Sequence, residues 1–151
     1  PALQVLEALP REIATLRLIR AQLPTAFDQA APLALDLLRR LKPRFALFLG
    51  QAGGRTGITV EARARNLMDA QIPDNQGKQP GKQPIDPEGP DFLPATLCVE
   101  NLAQAVLAAG IPASISRDAG AFVCNHLLYS ALRYTAVHRL DIAGDALEKP
   151  R

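Results

Sequence analysis

Hydrophobic and polar residues along this chain follow two spacings, one helical and one extended. The helical spacing predicts four helices, and short apolar or alternating runs predict four strands. The predicted helices are Ala2–Leu9, Phe27–Leu41, Ala95–Ala109 and Cys124–Arg133, and the predicted strands are Thr15–Gln22, Phe45–Leu49, Ile58–Asn66 and Ile111–Ser116. This alternation favours an α/β fold, with a twisted, largely parallel sheet and helices on both faces.

Turn-rich segments separate these elements. A glycine-rich turn covers Gly50–Gly57, and the proline-rich residues 72–94 are interpreted as an extended surface loop. The tail Asp141–Lys149 is interpreted as a terminal helix. We expect residues 1–151 to form a single domain.

In α/β sheets, ligands bind on the loops beyond the carboxyl ends of the strands. Three segments fall at such positions: the turn Gly50–Gly57, the turn Ile72–Asn75 and the start of the helix at Cys124. The first lacks the glycine spacings of nucleotide-binding loops, so by itself it indicates only a flexible connection. The predicted site therefore depends on what the other two segments contribute.

Composition excludes several classes of function. The 151 residues carry a net charge of +2 with dispersed Lys and Arg, and aromatic residues make up 5%, so a nucleic-acid partner is not expected. No run of about 18 apolar residues indicates a membrane span. Two cysteines, Cys98 and Cys124, are too few for a disulfide framework and favour a reducing, cytoplasmic compartment. No cofactor or metal site is predicted, because Cys124 and His126 alone do not supply enough ligands.

Cys124 has three possible roles: a buried packing residue, a metal ligand or a nucleophile. Small residues precede it in AGAFVCNH, and the predicted helix begins at about this position. Backbone N–H groups and the positive end of the helix dipole would favour the thiolate there. Cys98, in phase with Leu102 and Ala105 on its helix, is expected to be buried and inert.

Two further features remain open when read from the residues alone. Glu61 is a polar residue in the apolar run Ile58–Glu61, where it either faces solvent or orients a histidine. Ile72–Asn75, with its Pro, Asp and Asn, is typical of a plain turn.

Five segments identify a resemblance to a known family. GQAGGRTGITVEARARN, DAQIPDN, QPIDPEGP, LAAGIPASIS and AGAFVCNHLLY resemble, in this order, the motifs of the pyrrolidone carboxyl peptidases (pyroglutamyl peptidase I). The resemblance covers Pro1 to Arg133. It implies an α/β sandwich, a Cys-His-Glu triad, and removal of an N-terminal pyroglutamyl residue from peptides. It also implies a homo-oligomer, either a dimer or a tetramer, and no cofactor.

The resemblance assigns a role to individual residues. Cys124 matches the nucleophile, and Glu61 matches the glutamate of the triad. The backbone amides of Cys124 and Gln71 match the oxyanion donors, although the family usually has Arg at the position of Gln71. Residues matching the pyroglutamyl pocket are Phe122, Val123, Ile72, Gln51 and Thr25.

Two parts of the family pattern are not found. The chain begins after the family's GF-x-PF segment, and the GF-[IV]-H-[IV]-P segment with the triad histidine is missing. That histidine lies about two dozen residues after the nucleophile, where this chain has Leu147-Glu148-Lys149. His126 should point away from Cys124, and His138 lies near the far end of the helix. The chain is therefore interpreted as part of a longer enzyme, as a truncated product, or as an inactive relative that only binds pyroglutamyl groups.

Overall fold

The computed structural model describes residues 2–138 and 143–149. The helices defined in these ranges are α1 (Ala2–Ala8), α2 (Phe27–Leu41), α3 (Val99–Ala108) and α4 (Val123–Val137). The strands are β1 (Glu12–Ile13), β2 (Leu16–Arg17), β3 (Phe45–Gln51), β4 (Ile58–Glu61), β5 (Arg63–Arg65), β6 (Phe92–Pro94), β7 (Ala113–Ser116) and β8 (Ala143–Lys149).

The largest sheet has the strand order β3-β8-β4-β7. β3 pairs with β8 in parallel and β4 pairs with β7 in parallel, whereas β8 and β4 are antiparallel. β3 therefore runs opposite to β4, and the glycine-rich turn between them passes the end of β8. The predicted α/β fold is confirmed, and two of the three neighbouring strand pairs are parallel.

Helices cover both faces of this sheet. Leu38 of α2 and Ala131 of α4 cluster with Phe48 of β3. On the opposite face, Ala103 of α3 packs with Val60 of β4. Because successive strand residues point to opposite faces, the two neighbours of Val60 along β4 face the side of α2 and α4.

The direction of α4 follows from its contacts with β3. Leu128 belongs to a cluster that includes Phe48, and Ala131, one turn later, clusters with both Ala46 and Phe48. Ala46 precedes Phe48 along β3, while Ala131 follows Leu128 along α4, so the two elements are antiparallel. The first turn of α4 therefore lies toward Gln51, the last residue of β3.

Two predicted strands differ from the observed ones. Thr15–Gln22 contributes only β2, which pairs with β1 across a turn where Ala14 has a φ of 52°. Ile13 and Leu16 are exposed, so the hairpin has no buried face to extend it. The predicted strand Ile58–Asn66 is divided, because after β4 the chain changes sheets and β5 pairs with β6.

The terminal helix predicted at Asp141–Lys149 is wrong. Residues 143–149 form β8, which fills the space between β3 and β4 and pairs with both strands. Asp141 and Ile142 lie outside the described residues. Pairing with two neighbouring strands outweighs the local helix-like pattern, as is common for short segments of mixed polarity.

The prediction for Cys98 is also wrong. The helix expected from Ala95 begins at Val99, which leaves Cys98 at the N-cap position and exposed to solvent. Its Sγ lies 3.5 Å from Oε2 of Glu100. An N-cap residue lies outside the helical repeat, so its phase with later apolar residues does not bury it.

Candidate functional site

Cys124 is the second residue of α4 and is exposed. The predicted helix start is therefore one residue late, and the interpretation of Cys124 as a buried packing residue is wrong. Phe122, at the N-cap, makes no side-chain capping bond within the described residues, and the first turn of α4 contains no acidic residue. The positive end of the helix dipole is thus left uncompensated by carboxylates of α4 and favours an anion such as a thiolate.

The loop before α4 fixes how the chain enters this turn. Gly120 has a φ of 75°, a conformation that suits glycine, and its amide donates to Oδ1 of Asp118 at 3.0 Å. The carbonyl of Ala121 accepts a 3.0 Å hydrogen bond from the amide of Asp69. The approach to Cys124 is therefore tied to the segment that follows β5.

Asn125 holds the other side of Cys124. It is fully buried, and its side chain makes three hydrogen bonds to backbone atoms of Arg65 and Leu67. Oδ1 accepts from the Arg65 amide at 2.9 Å, and Nδ2 donates to the carbonyls of Arg65 and Leu67 at 2.9 and 3.0 Å. The first turn of α4 is thereby joined to β5 and the residues after it.

Glu61 does not face solvent: the residue is fully buried at the end of β4. Oε1 accepts a 2.8 Å hydrogen bond from Nη1 of Arg55, which comes from the glycine-rich turn. Oε2 is buried and has no hydrogen-bond partner among the described residues. A buried carboxylate oxygen without a hydrogen-bond donor destabilises the folded state. An N–H group placed beside Oε2 would remove this penalty, so Oε2 marks a position suited to a donor.

The two histidines of the chain do not supply this donor. His138 is the C-cap of α4, about 21 Å along the helix from Cys124 at 1.5 Å per residue, and its Nδ1 contacts the carbonyl of Tyr134. His126 is about 200° around α4 from Cys124, and its ring packs edge-on against Phe27 with centroids 5.6 Å apart.

β8 passes beside Glu61 and contains no histidine in its sequence, AGDALEK. By register Ala146 pairs with Glu61, and Glu148 pairs with Thr59 of β4 and Gly50 of β3. These β8 positions share the sheet face of Glu61, which is the face covered by α4. The family resemblance expects the triad histidine within Leu147–Lys149, and of these three positions 148 lies on the face of Glu61.

The residues predicted to form the pyroglutamyl pocket lie on several elements. Phe122 is half-buried and packs edge-on against Phe27, with ring centroids 5.4 Å apart. Val123 is a core residue of the same cluster, 3% exposed. Ile72 is 64% exposed in its loop.

The two polar pocket candidates are Gln51 and Thr25. Both are exposed, and Gln51 ends β3, on the side where α4 begins. The Thr25 carbonyl accepts a 3.0 Å hydrogen bond from the amide of Asn75, which fixes it against the loop that carries Ile72. The structure thus places Thr25 and Phe122 at the start of α2, whereas Ile72 is connected to it only through its loop neighbours Asp74 and Asn75.

Asp74 organises the loop that contains Gln71. It is 7% exposed, and Oδ2 accepts from the Phe27 amide at 2.8 Å, while Oδ1 accepts from the amides of Gln76 and Lys78. Asp74 thereby caps α2, whose own N-cap residue, an alanine, has no side chain for the purpose. Burial disfavours the carboxylate, but these amides outweigh it, so the pKa of Asp74 is lowered.

Gln71 is exposed two residues before Pro73, and within the described residues no hydrogen bond engages its backbone amide. An amide held in an ordered loop and left unused is suited to stabilise an anionic oxygen. The turn Ile72–Asn75 is therefore more than a plain turn, since Asp74 fixes its conformation from within.

His126 has a different environment from a catalytic base. Burial first, and then the positive charge of Lys78, lower its pKa, while Asp28 acts in the opposite direction. Its Nδ1 is buried without a hydrogen-bond partner among the described residues. This environment therefore favours the neutral form of the imidazole, which packs against Phe27.

Sequence reasoning did not identify Arg55, Asp74 or Asn125 as contributors to the site. Asn125 gave one usable signal, because asparagine is unfavourable inside a helix unless its side-chain amide finds other partners. Asp74 and Arg55 gave no such signal, because only the conformation of their loops brings them to their partners Phe27 and Glu61. In the part of the chain that the structure describes, no group of three or more metal-ligating side chains occurs, and none of the helices there combines the length and apolarity needed to cross a bilayer.

Comparison with known proteins gives a consistent result. The model of a family described as pyroglutamyl peptidase matches residues 1–148. Pyrrolidone-carboxylate peptidase 1 of Caldanaerobacter subterraneus subsp. tengcongensis is 41% identical over 150 residues, which are 99% of this chain and 74% of that protein. The pyrrolidone-carboxylate peptidase of Streptococcus suis is 42% identical over 132 residues, 87% of this chain and 61% of its own.

Solved structures extend the likeness to the fold. The pyrrolidone carboxyl peptidase from Thermococcus litoralis superposes with a TM-score of 0.94 at 30% identity, covering 99% of this chain and 68% of that one. Pyroglutamyl peptidase I from Bacillus amyloliquefaciens gives a TM-score of 0.92 at 33% identity, covering 97% and 72%.

Proposed function

Because the chain belongs to the pyroglutamyl peptidase family, we propose that it cleaves the amide bond after an N-terminal pyroglutamyl residue of a peptide, with Cys124 as the nucleophile. The observation that carries this assignment is the exposure of Cys124 in the first turn of α4, which contains no acidic residue of its own. A thiolate there is stabilised by the helix and remains accessible to substrate.

The reaction has two halves. The Cys124 sulfur attacks the pyroglutamyl carbonyl carbon, and the oxygen takes the negative charge of the tetrahedral intermediate next to the amides of Gln71 and Cys124. The C–N bond then breaks, the amine leaves with a proton, and a thioester remains on Cys124. Water hydrolyses the thioester, releases pyroglutamate and restores the thiol.

The pyroglutamyl ring carries no charge, so its pocket should be apolar with a few polar groups. Phe122, Val123 and Ile72 provide apolar surface in this proposal, and Gln51 and Thr25 provide hydrogen-bonding groups. The link between the Thr25 carbonyl and the loop carrying Ile72 supports a common binding region.

Glu61 is proposed to orient the base that moves the proton from the thiol to the leaving amine. Arg55 holds Oε1, which leaves Oε2 for an imidazole N–H. Position 148 of β8 lies on the same sheet face, but it is occupied by glutamate. The alternative, binding of pyroglutamyl groups without turnover, is not favoured, because the family and the relatives that the chain matches are peptidases.

Release of a chromophore from a pyroglutamyl amide tests both functions. The chain should release it, Cys124→Ser should abolish release, and Cys98→Ser should leave the rate unchanged. Release that survives Cys124→Ser would contradict the nucleophile. Binding of free pyroglutamate by the unmodified chain without any release would establish the second function instead.

Two finer properties are also proposed. A homo-oligomer, either dimer or tetramer, follows from the family resemblance, and the exposed Phe45 and Leu47 on β3 give it apolar contact surface. A content of only two cysteines, Cys98 and Cys124, supports a reducing, cytoplasmic location. Light scattering of the purified chain measures the first, and a monomer at micromolar concentration would contradict it.

A further inference from the structure

We propose that Asn125 is a positioning residue that fixes the distance between Cys124 and the amide of Gln71. The proposal rests on the function proposed above, and it assigns a role to a residue that does not contact the substrate. Its basis is the set of three hydrogen bonds that the buried Asn125 side chain makes to the backbone of Arg65 and Leu67.

The partners of Asn125 are remote in sequence. The bonds span 58 to 60 residues, so the side chain does not cap its own helix. Asparagine is unfavourable inside helices because its amide competes for nearby backbone groups. Here both amide hydrogens and the carbonyl oxygen are committed to another segment, and the polar group is fully satisfied.

β5 explains why a side-chain amide is needed. One edge of β5 pairs with β6, with Arg65 opposite Phe92. At the other edge, the amide and carbonyl of Arg65 meet the side chain of Asn125, which takes the place of a neighbouring strand. An apolar residue at position 125 would leave the Arg65 amide and the Leu67 carbonyl without their present partners, and the Arg65 carbonyl would keep only the Leu67 amide.

The segment held by Asn125 continues directly to Gln71. Asp69, two residues before Gln71, donates to the carbonyl of Ala121, three residues before Cys124. The segment therefore holds the chain on both sides of Cys124, at Ala121 and at Asn125. A shift of this contact changes the separation of the nucleophile from the proposed oxyanion donor, and a displacement of about 1 Å can lower a rate about 100-fold.

Three variants of the full chain test the proposal: Asn125→Ala, Asn125→Asp and the control Tyr129→Phe. Tyr129 lies one turn further along α4, and its hydroxyl donates to the Pro90 carbonyl at 2.8 Å. The control therefore also removes a hydrogen bond that anchors α4, but away from Cys124. We expect Asn125→Ala to lower kcat about 100-fold with KM nearly unchanged, and Tyr129→Phe to leave both within about 2-fold, the scatter expected for loss of a remote contact.

Asn125→Asp separates positioning from general destabilisation. A protonated carboxyl group still donates one hydrogen bond, whereas a carboxylate faces two carbonyl oxygens. Relative to the unmodified chain, its kcat should therefore fall as pH rises, while that of Asn125→Ala stays at a constant fraction. Equal kcat for Asn125→Ala and Tyr129→Phe, measured where both are folded, would overturn the proposal.

A readout without turnover keeps this test independent of the proposed function. Iodoacetamide labels Cys124 and Cys98, and the ratio of the two rates reports on the position of Cys124 in each variant. We expect Asn125→Ala to change the ratio and Tyr129→Phe to preserve it. An unchanged ratio in Asn125→Ala would refute the positioning role even if the chain shows no peptidase activity.

Discussion

Replacing Arg55 by Gln should destabilise the protein strongly through Glu61. The Glu61 side chain is 1% exposed, whereas that of Arg55 is 33% exposed. Oε2 has no partner among the described residues, so loss of Arg55 removes the hydrogen bond of Oε1 as well and leaves an uncompensated carboxylate in the interior. Breaking a buried pair from one side costs about 3–5 kcal/mol in free energy of unfolding.

The reverse substitution should be milder. Glu61→Gln leaves the charge on Arg55, and water can reach a guanidinium that is one third exposed. We expect a loss of about 1.5–3 kcal/mol in free energy of unfolding, the value of a hydrogen bond to a charged group. The double variant Arg55→Gln with Glu61→Gln removes both charges and should be more stable than Arg55→Gln alone.

Urea unfolding at pH 7, followed by circular dichroism, measures these differences as shifts in midpoint at constant slope. In thermal unfolding a loss of about 3–5 kcal/mol corresponds to a Tm lower by about 6–20 °C for a chain of this size. Arg39→Gln is the matched control, because the ion pair of Arg39 with Asp36 is exposed and contributes little. A loss below about 1 kcal/mol for Arg55→Gln, or no recovery in the double variant, would refute the argument that Glu61 is buried as a charge.

Three further predictions concern the base, the thiol and the buried histidine. Glu148→His should raise the turnover rate, because position 148 shares the sheet face of Glu61. Lys149→His, on the opposite face, should not raise it. Equal turnover rates for these two variants would contradict the register of β8 against β4. Iodoacetamide at neutral pH should label Cys124 faster than Cys98, although both are exposed, since only Cys124 lies inside the first turn of a helix; equal rates would remove the case for a stabilised thiolate. Because the pKa of His126 is lowered in the folded protein, the unfolded chain binds a proton at this side chain more readily, so the free energy of unfolding should fall as pH drops below about 6.5. The urea midpoint of His126→Leu should fall less than that of the unmodified chain over the same pH range. An equal fall in both proteins would contradict this prediction.

The elements that the sequence predicted best are those with strong local patterns. α2 has the predicted bounds Phe27–Leu41, and β3 and β7 lie within two residues of their predicted ends. Each has a hydrophobic pattern or a turn residue that acts over a few neighbours. The position of Cys124 at a helix start was also predictable, because small residues before an apolar helical run indicate a turn.

What the sequence did not predict depends on distant partners. β8 has a mixed sequence, and only the space between β3 and β4 makes it a strand. The division of β4 from β5 likewise depends on a second sheet. At the site, Asp74 caps a helix 47 residues earlier, and Asn125 bonds to a segment about 60 residues away. Such contacts leave no periodic signal in the chain, so they require the fold.

The position of β8 has a consequence for how the protein assembles. It is the last strand within the described residues, yet it lies inside the sheet, between two strands that precede it by 82 residues or more at their nearest ends. During synthesis, β3 and β4 cannot acquire their common neighbour until residue 149 has emerged, and their facing edges stay open until then. Pairing over such sequence separations is slow and leaves unpaired strands exposed to association. We therefore expect folding of the nascent chain to be late and cooperative, with aggregation competing most strongly just before β8 is inserted.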